Sequence, residues 1–331
     1  MNKDTLLEEA NRAKEQLGFA ERLNVQGRFS IADLFPKSKE RCGVYLLEFS
    51  DGLSYIGQAQ DVVRRFAGHR TKHDNICCLR FLPVKQKDLD TVEQHLIHRA
   101  EALGIPLTNK VHVSQVQGET DLDSLIPPEE QDAWLRRVLP FTEDTKRVKI
   151  DLEEKYRIRH NYQFQRFKEV PHFAEVVAAL KLYISESIMA PRRTEFSFWS
   201  VSCMPSTNIN TWPRLTTVNL NRMEVFVIGY CKQEPEHIWS FVNVAKNHFF
   251  EGYTEDEFRA KYPNTGIQFP RYVAAGYDQM RIQIDGIDQL SDVLRDNVVL
   301  EAARILNLRL MQKGGNVYAS SHCFELADLL L

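Results

Sequence analysis

Gly43-Val44-Tyr45-Leu46-Leu47-Glu48-Phe49, then Ser50-Asp51-Gly52, then Leu53-Ser54-Tyr55-Ile56-Gly57-Gln58-Ala59, is the stretch on which the fold turns. Two runs rich in β-branched and aromatic residues flank a polar trio that ends in glycine, the pattern of a β-hairpin. Loop length decides where the tyrosines point. If Asp51-Gly52 is a two-residue turn, Ser50 pairs with Leu53 and Tyr55 faces Glu48, on the opposite face from Tyr45. If Ser50-Asp51-Gly52 is a three-residue loop, Tyr55 opposes Leu47, Tyr45 opposes Gly57, and both hydroxyls share one face. Glycine at the third loop position is what a type I turn with a bulge requires, which favours the second register. Gly57 would then leave an empty place beside Tyr45 for a phosphate or a water.

Chemistry-bearing residues continue downstream. Asp61 is placed to cap a helix beginning at Val62, on which Arg65 and His69 lie four residues apart and share a face. Arg65 offers a planar fork for phosphate oxygens, and His69 can orient a water or carry a proton. The same two also read as an exposed arginine beside Arg64 and a C-terminal helix cap. A second helix beginning at Asp90 places Glu93 in its third position, so Asp-x-x-Glu reads as a capping box. The alternative role is a hard oxygen ligand for Mg²⁺, which keeps much of its hydration and needs few protein ligands. Asn109 is either a turn residue or a neutral amide that holds the tyrosine strand in place.

Taken in order, Gly43-Val44-Tyr45, Tyr55-Ile56-Gly57, Arg65, His69, Glu93 and Asn109 resemble the active site of the GIY-YIG nuclease superfamily, over roughly residues 42–110. The resemblance implies a small mixed sheet flanked by helices, with Glu93 binding one Mg²⁺ or Mn²⁺ ion and Tyr55 helping to deprotonate the attacking water. It further implies that Tyr45 supports that water and that Arg65 stabilises the phosphorane charge. His69 resembles the histidine of restriction-type members. Gln58 and Ala59 depart from the small hydroxyl or lysine residues frequent at these places in the family, which leaves a second such contact unsupported. A tyrosine base with an ordinary pKa near ~10 implies activity that rises toward mildly alkaline pH.

The chain has 331 residues, 43% of them hydrophobic, enough for two domains and a substantial core. Its formal charge of −3 gives no overall argument for nucleic-acid binding, which must rest on local patches. The six cysteines form no C-x-x-C pair, which argues against a structural zinc site and for reduced thiols. The start shows no signal-peptide h-region, and no run approaches the ~20 apolar residues of a membrane span. A cytoplasmic protein without membrane contact is expected.

The expected fold class is α/β in the α+β sense, a small nuclease module plus a separate C-terminal α+β domain. Residues 1–41 are read as a helical extension, with Leu6, Leu7, Ala10, Ala13, Leu17 and Ala20 at helical spacing. Residues 42–112 are the nuclease domain, 113–145 a connector containing Pro127-Pro128, and 146–331 a DNA-recognition and dimerisation domain. Lys146–Lys168 holds eight Lys or Arg against three acids, interleaved with Tyr156, Tyr162, Phe164 and Phe167. That pattern suits a phosphate-tracking surface or, equally, a solvated helix with its apolar stripe inward.

Lys155, Arg157, Arg159, Arg192 and Arg193 are accordingly candidate DNA contacts. Residues 196–223 combine Phe196, Phe198, Trp199 and Trp212 with Asn208, Asn210, Asn219, Asn221, Arg214 and Arg222. These suit base edges or a flipped, modified base, or else form a β-domain core with polar turns. Further expected elements are a helix from Phe173 to Ile188, a hairpin around Asn221-Arg222, a strand from Tyr277 to Ile284 and an amphipathic helix from Val293 to Leu310. The last either supplies an interface or packs within its own domain.

The functional expectation is a metal-dependent DNA endonuclease of restriction or anti-phage type. One such site cuts one strand, so a double-strand break implies a homodimer, and the restriction reading raises a methyltransferase or other defence-locus partner. The competing expectations are a catalytically idle DNA-binding or interaction protein, and a repair or RNA-directed nuclease on the same fold.

Overall fold

A computed structural model describes residues 12–137 and 147–331. The chain divides into two compact units, Met1–Gly118 and Glu119–Leu331, each with its own antiparallel sheet and packed helices, which makes the protein α+β. Residues 12–41 therefore share a unit with the hairpin, and the described part of the segment read as a connector is divided between the two units. No helix among the described residues is long and apolar enough to cross a membrane. All six cysteines are free.

In the first unit, strands β1 (Leu23–Asn24), β2 (Gly43–Phe49), β3 (Ser54–Ala59) and β4 (Ile76–Pro83) form a sheet of order β1-β4-β2-β3. All named strands pair antiparallel, so the sheet is not mixed as the family resemblance implied. Among the described residues of this unit, parallel pairing is confined to an isolated bridge between Ser54 and Leu107. Tyr45 pairs with Gly57 and Leu47 with Tyr55, while the Phe49 N–H donates to the Leu53 carbonyl at 3.0 Å. The loop therefore has three residues, and Gly52 takes φ +91°, a conformation a side chain would strain.

The register separates two cores. Tyr45, Leu47 and Phe49 face the helix Val62–Arg70 through Val62 and Phe66. Val44, Leu46 and Ile56 face the helix Leu89–Ala102 through Leu89, Leu96, Ile97 and Ala100. The sheet is thus sandwiched between two helices.

The segment before the hairpin belongs to this core. Helix persists only to residue 15, short of Leu17 and Ala20 in the helical spacing, and Leu23–Asn24 extends to pair with β4. Leu6, Leu7 and Ala10 lie outside the described residues. Glu48, 2% exposed, receives Lys14 Nζ at 3.4 Å, Arg80 Nε at 3.0 Å and Arg22 Nε at 3.2 Å. Burial works to raise its pKa, but the three cations hold the carboxyl below its ordinary value. A buried carboxylate is tolerated only when paired in this way, so the cluster ties the N-terminal segment to the sheet.

In the second unit, β5 (Trp199–Cys203), β6 (Arg214–Leu220), β7 (Met223–Tyr230), β8 (Ile238–Val244), β9 (Thr265–Gln268) and β10 (Met280–Asp285) form a sheet of order β5-β6-β7-β8-β10-β9. One face carries Trp199, Val201, Val218, Phe226, Val242 and Ile282 into the main core. The expected hairpin is present, with Asn221 and Arg222 between Leu220 and its partner Met223.

The expected Val293–Leu310 helix begins at Asn297 and runs to Gln312, because Asp296 caps it by accepting from the Val298 and Val299 N–H groups. A separate short helix, Ile287–Val293, precedes it. Ten residues of the long helix are buried, among them Leu306, Leu310 and Met311, so it is an interior element of its own unit rather than a free interface. Leu122, Ile126 and Trp134 also enter this core, which makes the C-terminal part of the expected connector an ordered element of the fold. Residues 138–146, including Lys146, lie outside the described residues.

Candidate active site

The hairpin, the helix after it and the edge of the sheet assemble the candidate site. Asp61 caps the helix Val62–Arg70 by accepting from the Val63 N–H at 2.9 Å and the Arg64 N–H at 3.2 Å. That start turns Arg65 and His69 toward the tyrosine face. Arg65 Nε–H donates to the Tyr45 hydroxyl at 3.1 Å, and the same hydroxyl lies 2.8 Å from His69 Nε2. Tyr55 stands beside them, its ring 4.9 Å from His69 and 6.2 Å from Tyr45 between centroids, and after Tyr45 it helps to hold the Arg65 pKa above its ordinary value. Tyr45 is buried, Tyr55 is half-buried and Arg65 is exposed.

The donor inventory assigns the protons. A guanidinium only donates, so the Tyr45 oxygen accepts from Arg65 and its own hydrogen points to His69 Nε2. Burial, and then the positive charges of Arg65, His73 and Lys72, push the His69 pKa down to about 4. His69 is therefore neutral at pH 7, with its ring proton on Nδ1. Burial, with Tyr55 and Glu93 nearby, raises the Tyr45 hydroxyl well above an ordinary phenol despite Arg65. Tyr45 stays protonated and passes a hydrogen bond between Arg65 and His69. His69 is not a helix cap, because its ring is committed to Tyr45.

Gly57 does not leave a vacancy beside Tyr45. A Cβ there would stand 2.6 Å from the Tyr45 hydroxyl and 2.6 Å from Tyr55 Cε1, so the two rings fill the space. Glycine is needed because both rings lie against the strand.

Glu93 comes from the helix on the other face of the sheet. That helix starts at Leu89, one residue earlier than expected, so Asp90 is not its cap and no capping box forms. Glu93 instead accepts from Gln58 Nε2 at 2.9 Å, and the same amide donates to Asp90. Burial raises the Glu93 carboxyl above its ordinary value against the Gln58 hydrogen bond, and the Asp90 charge adds to the rise. Among the described residues no hydrogen bond joins Glu93 to the tyrosine cluster; its charge is the smallest of the causes acting on Tyr45, and that of Arg65 the smallest acting on Glu93. Gln58, which the sequence marked only as a departure from the family pattern, is the residue that joins the two acids. Its place in β3, one position after Gly57 and on the opposite face, was the available signal.

Asn109 completes the site as a brace. Its Oδ1 accepts from the Ile56 N–H at 3.0 Å and its Nδ2 donates to the Ile56 carbonyl at 2.6 Å. β3 is the sheet's edge, so the amide substitutes for a neighbouring strand between Tyr55 and Gly57.

The expected DNA contacts are scattered. Arg157 pairs with Glu153 and Asp328, and Arg193 with Glu130. Arg192 is half-buried, whereas Lys155, Arg159 and Arg222 are exposed. Trp199 is fully buried and donates to the Pro191 carbonyl at 2.8 Å, and Phe198 is buried with it, so these are core residues. Asn219 and Asn221 are buried as well. Trp212, at 46% exposure, and Arg214 do share one surface, a cleft on the sheet face away from the core. Compared with protein-family models, curated proteins and solved structures, the chain matches none.

Proposed function

We propose that the first unit is a metal-dependent phosphodiesterase of GIY-YIG type that cuts DNA, and that the whole chain is a restriction or anti-phage endonuclease acting as a homodimer. The observation that carries this reading is the hydrogen-bonded chain Arg65–Tyr45–His69, with Tyr55 beside it and Glu93 within its field.

The acid donors suit a hard divalent cation. Glu93 and Asp90 offer only oxygen and share one amide partner, Gln58. Among the described residues no group of three or more His, Cys, Asp and Glu gathers as a metal cage. Mg²⁺ bound through one or two carboxylates, waters and substrate phosphate requires no such cage. Glu93 would hold Mg²⁺ or Mn²⁺, and the ion when bound would neutralise phosphate charge and polarise the phosphoryl oxygens.

In hydrolysis a water oxygen adds to phosphorus, its proton leaves to a base, and the bond to the departing sugar oxygen breaks. The exposed Arg65 guanidinium, fixed at Nε by Tyr45, presents its other N–H groups to the phosphoryl oxygens. The half-buried Tyr55 is the group placed to bind the attacking water and, as its phenolate, to take its proton and return to the phenol. Tyr45, held protonated, accepts from Arg65 and donates to neutral His69, which fixes the guanidinium, and Asn109 fixes the strand that carries Tyr55.

The test is incubation of the full-length protein with supercoiled plasmid and with modified and unmodified phage DNA, with Mg²⁺ or EDTA. The expected result is Mg²⁺-dependent cleavage that Glu93→Ala and Arg65→Ala abolish while far-UV circular dichroism is unchanged. Unaltered cleavage by both variants would overturn the site, and cleavage of RNA alone would overturn the substrate.

A further inference from the structure

The sheet of the second unit has a second face, and residues from three of its ladder rows meet there. Arg214 pairs with Gly229, Gly229 with Trp239 and Trp239 with Asp285. In the next row Val227, Phe241, Gln283 and Gly266 stand side by side. Beyond them lie Asn243, Arg281 and Gln268. Side chains of these rows, with Trp212 at the rim, line a cleft of about 780 Å³. That volume falls within the roughly 300–1,000 Å³ of small-molecule sites.

We propose that this cleft binds a nucleobase, and that in the intact protein it receives one base rotated out of the DNA. The placement on DNA rests on the nuclease reading above; the affinity for a base does not.

The cleft's charged side chains already have partners of their own, which narrows the ligand. Arg214 is paired with Glu224, and His237 Nε2 lies 2.6 Å from Asp285. The Arg281 guanidinium lies 3.7 Å from the Phe241 ring centroid and donates to the Tyr272 hydroxyl at 2.9 Å. Arg281 has no ion-pair partner among the described residues, but its guanidinium is stacked on Phe241 and bonded to Tyr272 and Asn243, so an anion would have to compete with those contacts. A hexose site would offer free carboxylates, whereas Asp285 in the cleft wall is held by the His237 ring. What remains open is aromatic surface on Trp212 and Trp239, with amides that can exchange partners. Gln268 and Gln283 bond to each other at 2.8 Å, and each has donor and acceptor capacity left for a base edge. Flat aromatic surface beside amides is the chemistry that holds an unstacked base.

The backbone is shaped for the indole. A Cβ at Gly229 would stand 2.4 Å from Trp239 Cζ2 and 2.5 Å from the Pro213 carbonyl oxygen, so the ring rests against the strand only because residue 229 is glycine. The Trp239 Nε1–H donates to the Tyr230 carbonyl at 3.2 Å, which fixes the ring's tilt.

Saturation-transfer NMR on the full-length protein with adenosine, guanosine, cytidine and thymidine, each alone, tests this. Deoxyribose, glucose and inorganic phosphate serve as competitors. The expected result is transfer strongest at base protons for at least one nucleoside, insensitive to the competitors and weakened at least about tenfold in Trp239→Ala and in Trp212→Ala. The exposed Trp212 guards against a folding artefact at Trp239. Absence of transfer from every nucleoside, displacement by glucose or phosphate, or full transfer in both variants would overturn the proposal. Plasmid cleavage is scored separately. Base binding without cleavage removes the nuclease reading and keeps the cleft, and cleavage without base binding does the reverse.

Discussion

Two strand glycines, Gly57 in the four-stranded sheet and Gly229 in the six-stranded one, do the same physical job at two sites of unequal legibility. Each lies under aromatic rings that a methyl group would strike: Tyr45 and Tyr55 in one case, Trp239 in the other. A glycine inside a strand marks close approach, but whether a ligand or a neighbouring ring makes that approach depends on packing. At Gly57 the expectation was an open place, and the rings occupy it. The first site could still be read, because β2, β3 and the helix Val62–Arg70 follow one another in the chain and sequence spacing there becomes spatial spacing. The second could not, because its rows join β6, β7, β8, β10 and β9 in an order that no local pattern announces.

The largest expected effect would break the comparison outright. Glu93→Ala should lower DNA cleavage by about a thousandfold, and Arg65→Ala by roughly 10²–10³-fold, the loss typical of one preorganised charge or donor. Cleavage rates on plasmid DNA check this. A loss below tenfold in both would mean that the tyrosine face is only a core.

Substitution at the two glycines sharpens the comparison. Gly57→Ala should cost about 1–3 kcal/mol, the range of overpacked interiors, and should lower cleavage by displacing Tyr45 and Tyr55. Gly229→Ala should be the more destabilising of the two, because its methyl group meets the Pro213 carbonyl oxygen, a backbone atom that cannot rotate away. Urea denaturation ranks them. An equal or reversed order would show that the second sheet yields where the first does not.

Asn109→Ala is expected to have an intermediate effect. Removing both bonds to Ile56 leaves a buried N–H and carbonyl unpaired on the edge strand, at about 1–3 kcal/mol. Hydrogen exchange at the Ile56 amide should accelerate in the variant. Unchanged protection would show that the segment through Leu107 and Thr108 holds β3 without the amide.

Particular residues show how far sequence reading reached. The hairpin register followed from Gly52, and the helix start from Asp61, because loop and cap chemistry are local. The role of Asn109 as a brace was among its two readings, and the structure selects it. Glu93 was ambiguous because one residue of helix start decides whether Asp-x-x-Glu is a cap, and helix boundaries are the least legible feature of a sequence. The contacts of Gln58 were not foreseen because its acid partners arrive on a helix packed against the sheet face opposite the tyrosines. Trp199 was misplaced although Trp199, Val201 and Cys203 alternate with Ser200 and Ser202, a period that points the tryptophan inward. The same alternation sets Trp239 and Phe241 apart from Ile238 and Ser240. It identifies a face but not which strands share it.

The smallest effect concerns a proton. His69 should titrate near 4 in the folded protein, against an ordinary value of 6.5, and NMR of its ring nitrogens measures this directly. Between those values the unfolded chain binds a proton that the folded chain excludes, so stability should rise with pH from about 4 to 6.5 and lose that increment as the medium is acidified. Cleavage should fall as pH drops through about 4, since protonated His69 cannot accept from Tyr45. Arg65→Ala removes the nearest cation, so the His69 pKa should move up toward its ordinary value, by less than the full depression because burial is the first cause. A pKa that stays at its ordinary value in the native protein would place the imidazole in water, break the hydrogen bond from Tyr45, and leave the Arg65 guanidinium without the hydrogen-bonded chain that fixes it.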